Sequence, residues 1–128
     1  MAETEKITIN MSIVDLGKVD LLVEEGFYSN RTDFIRTAIR NQLNTHADSV
    51  QRAVTMHSYV MGIVLLDQKS LQRNLDAGKR GSYYVIGLLH IADDVSPELA
   101  DQTIEKIVVR GVLRAPEAVK QALKGRMS

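Results

Sequence analysis

The chain has 128 residues, and its 16 Lys plus Arg balance 16 Asp plus Glu, so the formal net charge is zero. Its hydrophobic fraction of 45% and charged fraction of 25% are typical of a folded domain, which argues against global disorder. The absence of Cys excludes disulfides, thiolate zinc sites and a Cys nucleophile. No apolar run approaches the roughly 20 residues that span a bilayer, and the acidic, mixed N-terminus is unlike a signal peptide, so we expect a cytoplasmic protein without membrane contact.

The first periodic segment, residues 6–11, alternates polar and apolar residues and predicts a half-buried strand. Its apolar face would carry Ile7, Ile9 and Met11. Its polar face would carry Lys6, Thr8 and Asn10. A lone strand of this length has two unpaired edges and little to pack against. Pairing with a second copy of the chain across a twofold axis is the simplest way to provide the missing hydrogen bonds and packing.

Two amphipathic helices are predicted after this strand. Ser12 is a candidate N-cap for a helix over residues 13–25, and Gly26 stands where a left-handed C-cap is expected. Ser29 is the candidate N-cap of a second helix, which extends to about Leu43. A further, weaker helical pattern reaches about residue 56.

The C-terminal half repeats itself with a pattern of Val, any residue, Gly and two apolar residues. The repeated glycines are Gly62, Gly87 and Gly111. The pattern predicts three strand–helix units, with helices over residues 69–77, 97–106 and 116–124 and mainly parallel strands. A stacked repeat and a compact α/β arrangement both fit this pattern.

The N-terminal segment resembles the ribbon-helix-helix family of DNA-binding proteins, the Arc/MetJ/CopG type, over about residues 5–43. The resemblance is carried by the alternating strand, by Gly26 between the helices and by the run from Ser29 to Arg36, which matches the start of the family's second helix. It implies an α+β chain in which a β-α-α unit forms an intertwined dimer and precedes the C-terminal α/β repeats. We expect a DNA-binding and dimerisation domain over 1–46, a helical linker over 47–58, and an oligomerisation or partner-binding domain over 59–128.

The resemblance also implies roles for particular residues, because the family inserts its paired strands into the major groove of DNA. The expected base contacts are Lys6, Thr8 and Asn10. The expected phosphate contacts, mainly through backbone N–H groups, are Ser29, Asn30 and Arg31. The expected dimer core is Ile7, Ile9, Met11, Leu16, Phe34, Ile35 and Ile39. The expected role is that of a transcriptional regulator, acting as a repressor on double-stranded DNA.

Two alternatives stay open. An antitoxin would use the same ribbon to regulate its own operon and would hold a toxin with its C-terminal half. A structural or assembly protein would use the ribbon only to dimerise. The sequence shows neither a catalytic constellation nor the Cys-containing, His-rich signature of nickel-responsive relatives, so we expect no enzyme activity, no metal site and no cofactor.

Overall fold

The computed structural model describes residues 3–128, in which helices precede and then alternate with strands. The helices are α1 (Ile13–Glu24), α2 (Arg31–Thr45), α3 (Ala47–His57), α4 (Gln68–Asp76), α5 (Pro97–Thr103) and α6 (Glu117–Ala122). The strands are β1 (Val60–Leu66), β2 (Gly81–Ile91) and β3 (Ile104–Arg114). The chain divides into two compact units, Thr4–Arg52 and Ala53–Ser128, and Glu3 groups with the second.

The N-terminal unit contains α1 and α2 but not the predicted strand. Residues 3–12 have no regular secondary structure in the single chain. This difference has a physical reason, because a strand is held by hydrogen bonds to a neighbouring strand and the single chain contains no neighbour for this segment. The β-α-α arrangement therefore remains a prediction about the dimer.

The ends of the first helix follow the sequence signals. The Ser12 side chain accepts a hydrogen bond from the Asp15 N–H at 3.3 Å, which confirms Ser12 as the N-cap of α1. Gly26 follows the helix with a φ of +87°, a conformation that favours glycine.

The C-terminal unit is built on a three-stranded parallel sheet in the order β1-β2-β3. The parallel arrangement predicted for the repeats is confirmed. Gly62 pairs with Gly87, and Gly87 pairs with Gly111, so the three repeated segments lie in the same register. The α4 and α5 helices connect successive strands, as parallel pairing requires.

One hydrophobic core joins the sheet to the helices of this unit. The strands contribute buried residues that include Val85, Leu89 and Ile91, and the helices contribute Leu71 and Leu99. The equivalent positions of the last two repeats, Val95 with Val119 and Leu99 with Leu123, are all buried. The periodicity therefore reflects shared packing positions.

The predicted helix over 97–106 is too long. Helix α5 ends at Thr103, and β3 begins at Ile104 without an intervening loop. The buried Thr103 hydroxyl donates a hydrogen bond to the Leu99 carbonyl at 2.6 Å. The apolar residues after Thr103 are compatible with either spacing, and pairing with β2 places them in a strand.

Candidate nucleic-acid interface

The three predicted base-contacting residues lie in the exposed N-terminal segment. Lys6, Thr8 and Asn10 are all exposed to solvent, and they occupy alternate positions in the chain. Their side chains carry the donors and acceptors that read base edges, since Lys suits guanine, Asn suits adenine and Thr can contact a thymine methyl group. Whether they share one face depends on the strand forming, and this assignment stays a prediction.

The predicted dimer core is largely uncovered in the single chain. Ile7 is 72% exposed, Ile9 58% and Ile39 48%. The other four residues of the set are only partly buried, and these are Met11, Leu16, Phe34 and Ile35. Among the described residues of Thr4–Arg52, only Val19 is buried. This unit thus lacks a core of its own, which is what a chain that folds around a second copy would show.

The second helix begins with two hydrogen bonds between backbone N–H groups and side chains. The Asn30 side chain accepts from the Asp33 N–H at 2.8 Å, and the Asp33 carboxylate accepts from the Ser29 N–H at 2.9 Å. Asn30 is therefore the N-cap of α2, and the prediction that Ser29 fills this position is wrong by one residue. The extended backbone of Asn30 and the fit of its short amide to the first turn explain the shift.

This arrangement changes which N–H groups could face a phosphate. The Ser29 N–H already donates to Asp33. The N–H groups of Arg31 and Thr32 open the helix, where intrahelical partners are missing by geometry and the helix dipole favours an anion. Of the predicted phosphate contacts, Arg31 contributes its N–H to this open first turn, and phosphate binding here stays a prediction.

The Arg31 side chain is held by α1. Its Nε and Nη2 atoms donate to the two carboxylate oxygens of Asp20 at 2.7 and 2.8 Å, a two-pronged geometry. These hydrogen bonds, and then the charge of Arg31, hold the pKa of the Asp20 carboxyl below its usual range. Both side chains are about half exposed, so water screens the pair and a phosphate could reach the guanidinium.

Sequence reasoning missed Asp20 as a part of this site. The Asn30-x-x-Asp33 spacing is a capping pattern and could have identified the helix start. No local pattern predicts that Asp20 meets Arg31, because the two residues lie on different helices and meet only through the packing of α1 on α2.

The three histidines have different surroundings. The His46 ring is within hydrogen-bonding distance of Gln42, the His57 ring contacts Tyr59, and His90 is exposed on β2. Over residues 3–128, no three His, Cys, Asp or Glu side chains come together as metal ligands.

No helix in the described part of the chain is long and apolar enough to cross a membrane.

The model of the Ribbon-Helix-Helix transcriptional regulator family matches residues 2–120, nearly the whole chain, and the protein belongs to this family. Membership implies DNA binding and dimerisation, and family members are typically regulators and not enzymes. Neither a curated protein nor a solved structure matches the chain.

Proposed function

We propose that this protein is a sequence-specific regulator that represses transcription by inserting a dimeric β-ribbon into the major groove of DNA. The observation that carries the proposal is the N-terminal unit without a core of its own, preceded by an alternating polar and apolar segment. Pairing two such segments would cover Ile7 and Ile9 and would turn Lys6, Thr8 and Asn10 toward the bases.

The start of α2 supports a clamp on the DNA backbone. The open N–H groups of Arg31 and Thr32 and the Arg31 guanidinium would hold one phosphate on each side of the ribbon. Asp20 keeps the guanidinium in place before DNA binds, so less side-chain freedom would be lost on binding.

The C-terminal unit favours a regulator over an antitoxin. An antitoxin with a C-terminal segment that orders only on its toxin would not bury a core alone. Here the helices and strands of Ala53–Ser128 bury Leu71, Leu89, Ile91 and Ile104 completely. The unit is accordingly expected to resist limited proteolysis in the absence of any partner.

The proposal is tested by selecting bound sequences from random duplex DNA and then by measuring the affinity of the Thr8→Ala/Asn10→Ala variant. Each base contact contributes about 1–3 kcal/mol, and the two contacts each occur twice in the dimer, so the variant is expected to lose roughly 1,000-fold or more in affinity for the selected site. Sedimentation equilibrium should still show the dimer, because both side chains lie on the exposed polar positions.

Asn44→Ala is the matched control, since Asn44 is an exposed polar residue near the end of α2 in the same unit. It should bind DNA as the parent does. Failure of the selection to enrich any sequence, or unchanged affinity of the double variant, would contradict base reading by the ribbon. A chain that enriches no DNA sequence yet still forms the dimer would instead favour an assembly protein.

A further inference from the structure

Strand β1 forms one edge of the parallel sheet, since it is bonded only to β2. Its seven residues contain no charged side chain and no proline, the two devices with which proteins commonly protect an exposed edge. Four of its apolar side chains are each between 54% and 57% exposed, and these are Val60, Met61, Ile63 and Leu65. This composition is typical of a strand that a neighbour covers.

The opposite edge of the sheet is partly covered by the chain itself. The Ile107 N–H donates to the Arg126 carbonyl at 2.9 Å, and the Ser128 N–H donates to the Ile107 carbonyl at 2.9 Å. Residues 126–128 thus run beside β3 as a short extra strand. In the described part of the chain, no segment pairs with the outer edge of β1 in this way.

The repeated glycines show that β1 has room for another backbone. A Cβ atom at Gly87 would overlap the Gly62 carbonyl oxygen, and one at Gly111 would overlap the Gly87 carbonyl oxygen. Gly62 has the same backbone conformation, with a φ of +127°, yet no described atom lies within 4 Å of where its Cβ would be. A neighbouring strand therefore lies close to Gly87 and to Gly111, whereas the equivalent space beside Gly62 is open.

We propose that β1 pairs antiparallel with β1 of a second copy of this chain, so that two C-terminal sheets join edge to edge. Two copies of β1 can lie side by side without repulsion between like charges, because the strand has no charged residue. The unpaired N–H and carbonyl groups of one copy can bond to those of the other across a twofold axis. Pairing of β1 with the partner's β3 is disfavoured, because residues 126–128 occupy part of that edge.

A second copy of this chain is the expected partner of β1, because members of the family dimerise. This step rests on the proposed function, in which the N-terminal ribbon holds two chains together and raises the local concentration of one β1 strand near another. The pairing would lock the C-terminal units of a regulator to each other without any additional partner.

Cross-linking tests this pairing directly, because the parent chain contains no Cys. The Ile63→Cys variant places one thiol at the centre of β1, and Gln121→Cys places one on the exposed surface of α6 as the matched control. With a short bis-maleimide, Ile63→Cys is expected to form covalent dimers at least about tenfold faster than the control, because paired strands give a high effective concentration. Equal rates would overturn the proposal.

Backbone hydrogen exchange separates edge pairing from a looser contact between sheet faces. The amides of residues 60–66 that point away from β2 should be protected in the full-length parent chain and should exchange at least about tenfold faster in Ile63→Lys. Gln121→Lys should leave them protected. Rapid exchange of these amides in the parent would overturn edge pairing even if cross-links form.

Neither measurement uses DNA, so the two proposals can fail separately. The Thr8→Ala/Asn10→Ala background should cross-link through Ile63→Cys as the parent background does. Loss of DNA binding with cross-linking retained is the expected result for this variant. A chain that selects a DNA site but fails to cross-link through β1 would contradict the edge pairing alone.

Discussion

At the residue scale, the C-terminal sheet depends most on the glycines at its centre. Gly87 has a φ of +133°, where an L side chain is strained, and a Cβ there would also overlap the Gly62 carbonyl oxygen. Gly62 has the strain without the overlap. The two positions therefore separate the energetic effect of backbone conformation from that of close strand approach.

We expect Gly87→Ala to lower the free energy of unfolding of the C-terminal unit by more than about 2 kcal/mol, because both effects act together. Gly62→Ala should lower it by only about 1–2 kcal/mol, from strain alone. Urea denaturation followed by circular dichroism measures both, in the Ile63→Lys background so that strand pairing between copies does not contribute. Equal losses would show that the close approach at Gly87 has no energetic consequence.

At the element scale, the start of α2 is connected to α1 by the Asp20–Arg31 pair. Hydrogen bonds from Arg31 lower the pKa of the Asp20 carboxyl below its ordinary value of 3.8. The pair therefore stabilises the folded state above that pH, and its contribution disappears as the pH falls through the lowered pKa. Any gain is small at neutral pH, because the pair is exposed and screened.

An NMR titration of the Asp20 side chain checks this linkage. Arg31→Gln is expected to raise the pKa of Asp20 toward its ordinary value, since both the hydrogen bonds and the positive charge are lost. Arg36→Gln is the control, because Arg36 is an exposed residue of the same helix outside the pair. An Asp20 pKa that is unaffected by Arg31→Gln would mean that the bridge does not form in solution.

The sequence predicts structure that forms within each repeat better than contacts between separate helices or separate chains. The repeated glycines predicted three strand–helix units with mainly parallel strands, and the structure adds that the three glycines pair in one register. The segment over residues 6–11 forms no strand in the single chain, because its partner would be another molecule. Asp20 and Arg31 meet through tertiary packing, which helical periodicity does not encode.

At the scale of the whole molecule, the zero net charge limits how DNA binding depends on salt. The proposed ribbon has one cation per chain, Lys6, and Arg31 is already paired with Asp20. Few condensed ions would be released, and the plot of log K against log salt concentration should have a slope shallower than about −4. Fluorescence anisotropy on the selected site measures it, and Lys6→Gln should flatten the slope further by about 2. A slope near −10 would point to a larger basic contact than the ribbon provides.

The N-terminal unit, Thr4–Arg52, buries a single residue, Val19, and this has a consequence for the amount of protein in a cell. A unit whose core forms only between two chains obeys mass action, so its folded fraction rises with total concentration. The C-terminal unit buries its own core, so its folding does not require a second chain. At low copy number the DNA-reading half would therefore melt while the other half stays folded, and a regulator of this design would repress only above a threshold set by its own abundance.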